Sequence, residues 1–255
     1  MGSSGSSGKS RTRSSETGVV DLATCALDLL ASRRKDHAQD SWAEALQSAV
    51  TSPDPTEKDT LLRSMLKAGI SPERICDHYI PAVARRMGDD WCRDSMSFAD
   101  VTIGSARLQA LLRDASLQGG GAPMQGAENL AVIVLADEYH TLGAMVLTGQ
   151  LRRLGASVRL ALGRPEAEIR RLVGDGGFDA ILISVALAEC YREVNRIIRE
   201  LRDMTGGRVP IVAGGSILDL GAENARTLTG ADHIAGTAAE ALQLTGPGAV
   251  AGPDR

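Results

Sequence analysis

The stretch Leu130-Ala-Val-Ile-Val-Leu135-Ala-Asp-Glu138-Tyr139-His140-Thr141-Leu142-Gly143 decides the fold. A short β-branched run, Leu130–Leu135, leads through a polar loop into an amphipathic segment that continues to Leu154. The same unit then recurs: Ser157–Ala161 with a helix to Val173, Ala180–Ser184 with a helix to Met204, and Pro210–Ala213 with a helix to Leu228. A short run, His233–Ala235, and a closing helix finish the series. Strands that alternate with helices need crossover connections, so five such repeats predict a parallel, doubly wound sheet with right-handed crossovers.

Working outward, Gln118-Gly-Gly-Gly-Ala-Pro-Met-Gln-Gly-Ala-Glu128 is glycine-rich and aperiodic, and reads as a linker over 118–128. Before it, residues 17–117 carry helical punctuation and no alternating strand. Val20, Leu22, Ala23, Ala26, Leu29 and Leu30 fall near helical spacing, and Ser41–Val50 forms a second segment. Pro53-Asp-Pro-Thr-Glu57 opens a third, which Gly69 stops. Ser71-Pro72-Glu-Arg74 has an N-cap serine and a proline at N1, and a last long helix runs from about Ser97 to Ser116. The expectation is a helical-bundle cap of four or five helices at 17–117, then a flavodoxin/Rossmann-like α/β domain at 129–247. Residues 1–16, which open with the vector-like Gly/Ser run Met1–Gly8, and residues 248–255 read as tails.

Composition excludes several classes of function. Cys25, Cys76, Cys92 and Cys190 form no CxxC or CxxH pair, which argues against a structural zinc or a disulfide framework and fits a reducing cytoplasm. No apolar run approaches the roughly 18–20 residues that span a bilayer, so no membrane contact is expected. A net charge of −4 does not advertise nucleic-acid binding. Only Lys9-Ser-Arg-Thr-Arg13 offers a weak DNA contact, and three Tyr, two Trp and two Phe make no stacking platform.

Ligands of open parallel sheets bind beyond the carboxyl ends of the strands. Three of these ends are unusual: the histidine-bearing loop after strand one, Ser184-Val-Ala186-Leu187 after strand three, and Gly214-Gly215 after strand four. Neither GxGxxG after strand one nor GxxxxGK[ST] anywhere is present, which disfavours an ordinary NAD or ATP domain. A phospho-acceptor receiver would need an Asp at the end of strand three, where Ser184 stands. Taken singly, a histidine in a loop or a Gly-Gly pair is ordinarily a plain turn residue; the ordered set carries the signal.

That set resembles the cobalamin-binding domain family, whose signature is DxHxxG…SxL…GG. Here it reads Glu138-Tyr139-His140-Thr141-Leu142-Gly143, Ser184-Val-Ala186 and Gly214-Gly215, followed by Gly230-Ala-Asp232. The resemblance implies that His140 is the axial ligand of cobalt and that Glu138 replaces the usual Asp as the carboxylate on the other ring nitrogen. It further implies that Gly143 turns the chain beside the nucleotide tail, that Ser184 hydrogen-bonds the benzimidazole, and that Gly214 and Gly215 make room for the nucleotide loop. Tyr139, Thr141, Leu142, Val146, Ala186, Leu187 and Gly236 complete the cofactor-binding set it implies. Ala186 stands where the SxL pattern has Leu, with Leu187 one position later.

The helical half looks like the cap over the upper corrin face in methionine synthases and cobalamin photoreceptors. Trp91 fits that pattern and, with Val101, is assigned to the cofactor; Val101-Thr102 stands where the photoreceptors have Glu-His. Cys92 reads as a buried small residue. Trp91…Ser97-Phe-Ala-Asp-Val-Thr-Ile-Gly104…Arg107-Leu-Gln109 is most similar to the AerR/PpaA group of antirepressors, related to the SCHIC domains. The group implies hydroxocobalamin or adenosylcobalamin as cofactor, a CrtJ/PpsR-type repressor as partner, and light or cobalamin as signal, with no catalytic residue. A corrinoid methyl carrier is the alternative that also uses His140, and haem on His140 is the alternative cofactor.

Overall fold

The computed structural model of the chain describes residues 40–114, 117, 126–136, 138, 140–186 and 191–245. The expected first helix near residues 20–30 and most of the linker lie outside them. The described helical half has four helices: α1 at 40–51, α2 at Thr56–Lys67, α3 running from Pro72 to Cys92, and α4 at Phe98–Arg113. Their ends follow the sequence signals. Gly69 stops α2 with φ +83° while the Ile70 N–H returns to the Met65 carbonyl. The Ser71 hydroxyl accepts from the Arg74 N–H, and the Ser97 hydroxyl accepts from the Asp100 N–H.

One feature of α3 escaped the sequence reading: Ile75–Tyr79 forms a π turn inside the helix. Pro81 supplies the reason. A proline has no N–H, and its ring collides with the carbonyl four residues back in a regular α-helix. The π turn sends the Ile80 N–H to the Ile75 carbonyl, which shifts the carbonyls ahead of Pro81 and lets the helix continue.

The α/β half contains β1 (Asn129–Leu135), α5 (Leu142–Arg153), β2 (Ser157–Arg164), α6 (Glu166–Gly176), β3 (Ala180–Ser184) and α7 (Tyr191–Thr205). It continues with β4 (Ile211–Gly214), a 3-10 turn at Ser216–Leu220, α8 (Ala222–Thr229), β5 (His233–Ile234) and α9 (Ala238–Thr245). All pairings are parallel and the order is β2-β1-β3-β4-β5. The chain reverses direction across the sheet between β1 and β3, so the carboxyl ends of those strands flank the crevice where such folds bind ligands.

Both faces of the sheet are covered, and the side-chain alternation of strands divides the core. Ala131, Ile133, Ile181, Ile183 and Ala213 pack on Ile169 and Val173 of α6 and Val194 to Leu201 of α7. Leu130, Val132, Ala180, Leu182 and Val212 pack on Ala144 and Leu151 of α5 and Ala238 and Ala241 of α9. The helical half has its own core around Leu46, Met65, Ile80, Met87 and Leu108, and that core takes in Met145 and Val146 from α5. Helix α5 is therefore shared: one side lies on the sheet, the other on the cap. Burying each of these two side chains is worth about 1.5–3 kcal/mol. The half-buried Asp77–Arg153 pair across the same seam, 2.5 Å long, is worth about 1 kcal/mol or less. The apolar contact holds the halves together, and the ion pair sets their register. Among the described residues no helix is long and apolar enough to cross a membrane.

Candidate functional site

Glu138 sits in the loop after β1 with its side chain 3% exposed, beside a His140 ring that is 64% exposed. A buried carboxylate is costly unless its oxygens are hydrogen-bonded, and here they are. Oε1 accepts the His140 N–H at 2.9 Å and lies 2.7 Å from His140 Nδ1; Oε2 accepts the Ala186 N–H at 2.9 Å. A carboxylate only accepts, so Nδ1 carries the ring proton and Nε2 keeps its lone pair. The longer Glu side chain lets one carboxylate fix the imidazole and tie the β1 loop to the end of β3. The expected Glu138–His140 pairing is present, with Ala186 contributing through its backbone.

Beside this pair lies a cavity of about 370 Å³, walled by α5, the carboxyl ends of β3 and β4, and α9. Leu142, Gly143, Val146, Ser184, Gly214, Gly215 and Gly236, all among the residues expected at the cofactor, line it. Thr141 does not line it. That hydroxyl does not cap α5; it accepts a hydrogen bond from Gln109 of the cap at 3.1 Å. Tyr139 and Leu187 lie outside the described residues.

The glycines exchange the roles expected of them. A Cβ on Gly214 would stand 2.6 Å from the Ala235 carbonyl oxygen, and one on Gly215, at φ +101°, 2.6 Å from that of Val185. Close backbone packing at the strand ends demands this pair whatever is bound. Gly143 was expected to permit a turn, but it has no left-handed backbone and lies within the first turn of α5, where a Cβ would meet nothing within 4 Å. The missing side chain leaves space in the cavity.

On the cap, Trp91 and Val101 do not line the cavity. Trp91 is 49% exposed and tilts against the 70% exposed Phe98, with ring centroids 6.3 Å apart; it is not a core residue. Cys92 is exposed as well, contrary to the expectation of burial, because it closes the last turn of α3 beyond the cap core. Arg107, singled out by the motif, is structural: its Nη1 donates to the Val50 and Ser52 carbonyls at the end of α1. Sequence reasoning missed Pro81 and Arg85 of α3 and Gln150 of α5, which also line the cavity. A proline inside a helical pattern was the available signal for the first. Arg85 and Gln150 sit on helix faces that look solvent-facing until the cap is docked.

The residues present fit a corrinoid. A slot with mostly apolar walls suits the aromatic base of a nucleotide tail, and the space beside Gly143 keeps its entrance open. An oriented imidazole stands beside it. Among the described residues no three His, Cys, Asp or Glu side chains gather into a metal site.

Comparison with known proteins agrees. The family described as B12 binding domain matches residues 128–244, and a second family of the same description matches residues 42–113. A 20.5 kDa protein of the bchF-crtJ intergenic region of Rhodobacter capsulatus is 34% identical over 178 residues, which cover 69% of this chain and 92% of that one. The monomethylamine corrinoid protein of Methanosarcina barkeri shares the fold, with a TM-score of 0.60 and 16% identity over 78% of this chain and 94% of its own. With both halves matched and a relative at this identity, the chain belongs to the B12-binding domain family.

Proposed function

We propose that this protein is a cobalamin-dependent regulator, an antirepressor of the AerR/PpaA type that responds to light or cofactor supply and acts on a CrtJ/PpsR-type repressor. The observation that carries the cofactor reading is the Glu138–His140 pair beside the slot: a buried carboxylate holds Nδ1 and leaves Nε2 as the donor on an exposed ring. Bound there, the corrinoid would supply a cobalt centre sensitive to light and redox state. The protein's own residues would orient the imidazole, enclose the tail between α5, α9 and the strand ends, and offer the cap as a changeable surface.

Support for regulation comes from the relative in the bchF-crtJ intergenic region and from the absence, among the described cavity-lining residues, of any acid–base pair. Likeness in fold to the monomethylamine corrinoid protein keeps a methyl carrier as the second reading, and both need His140. Haem on the same imidazole is the alternative cofactor. Repressor, cofactor-loaded protein and promoter DNA, mixed in the dark and after illumination, distinguish the functions. The regulatory reading expects the loaded protein to co-elute with the repressor and to release it from DNA; a repressor that stays on DNA in every cofactor state contradicts it.

A further inference from the structure

Among the described residues lining the cavity one is ionisable, and the cap provides it. Arg85 stands on α3, one turn after Pro81, while the remaining lining is apolar or glycine apart from Ser184, Thr237 and Gln150. Among the described lining residues no acidic side chain is present to neutralise it. Among the described residues Arg85 has no hydrogen-bond or ion-pair partner, whereas its neighbour Arg86 is paired with Glu44 at 3.2 Å. An unpaired guanidinium on the rim of an apolar slot suits a ligand with an aromatic body and one anionic group that stays outside. The nucleotide loop of cobalamin has that composition, with one phosphodiester between ribose and corrin.

We infer that Arg85 binds the phosphodiester of the corrinoid nucleotide loop and so links the cap to the cofactor's tail. The inference rests on the cobalamin reading above and goes beyond it by assigning the tail's charge to the helical half. Its chemistry separates it from ligation at cobalt, because the phosphate can be removed from the ligand while the corrin is kept.

The test measures affinities of wild type, Arg85→Ala and Arg85→Lys for cobalamin, cobinamide phosphate and cobinamide, by absorbance titration at low and high salt. Arg85→Ala is expected to weaken cobalamin and cobinamide phosphate by about 10- to 100-fold, to leave cobinamide unchanged, and to flatten the salt dependence. Arg85→Lys should recover part of the loss. An equal penalty for all three ligands, or no penalty for any, overturns the assignment while leaving the cobalamin reading intact. A wild-type protein that takes up none of the three overturns both.

Discussion

The two sides of the cavity are built differently. On the α/β side the described groups around Glu138 are held by the fold itself: both Glu138 oxygens are bonded, Ala186 is tied between Glu138 and the Ser216 hydroxyl, and Gly214–Gly215 are locked against neighbouring carbonyls. On the cap side Arg85 has no hydrogen-bond or ion-pair partner among the described residues, and away from the cavity Trp91 and Phe98 are exposed. A preorganised floor beneath a less constrained roof is the arrangement the proposed function calls for, with ligation on the sheet side and a cap that answers to the ligand. This division suits a protein that reports what it has bound.

The comparison breaks most visibly if the halves do not fold as one. Leu151 is fully buried between α5 and the sheet, and Leu108 is fully buried in the cap. Replacement of either by Ala is expected to cost about 2–5 kcal/mol. Both tryptophans, Trp42 and Trp91, lie in the helical half, so fluorescence reports the cap while circular dichroism reports the whole chain. In urea titrations Leu151→Ala should move both signals together. A fluorescence transition left in place would show that the α5 seam does not couple the halves.

At the floor, Glu138→Gln removes the charge and one of the two accepting oxygens. It is expected to lower cobalamin affinity by about 10- to 100-fold, read by absorbance titration. An unchanged affinity would mean that the buried carboxylate serves only the loop. Gly143→Leu sharpens the same contrast from the opposite direction. It should keep or raise thermal stability, by about 0.5–1 kcal/mol, while reducing cobalamin uptake, because it fills space the fold does not use. Gly215→Ala, with its Cβ against the Val185 carbonyl, should instead be limited by folding.

The smallest effect concerns the two described cysteines, both in the cap. Cys76 is buried and its thiol donates to the Leu117 carbonyl at 3.6 Å; burial pushes it up to about 11. The unfolded chain loses that proton near 9, so this residue's contribution to stability is present below about 9 and is lost as pH rises towards about 11. Iodoacetamide at pH 8 should therefore label Cys92 and spare Cys76 until the protein is denatured. Early labelling of Cys76 would show that the cap core is open.

The parallel sheet and the gathering of its unusual strand ends were legible in the sequence because both follow from short-range patterns. β-branched runs fix the strands, and parallel pairing then brings His140, Ser184 and Gly214 to one edge. Ser184 is paired in register with Gly214, as that reading requires. The roles of the glycines were not legible, since whether a missing Cβ serves the backbone or the ligand depends on atoms distant in the chain, such as Ala235 and Val185. Nor was the cap's contribution. Helical periodicity shows which residues of α3 are apolar, but Arg85 meets the cavity only through the docking of α3 on α5, and Trp91 does not enter the core although its character would allow it.

The central claim, that His140 oriented by Glu138 would ligate the metal of a bound corrinoid, is tested most directly by loading the protein with hydroxocobalamin, desalting it, and comparing its absorption spectrum with that of His140→Ala. Wild type is expected to retain the corrin with a histidine-ligated spectrum, and His140→Ala to lose that signature. No corrin retained by wild type, or identical spectra for the two proteins, would contradict it.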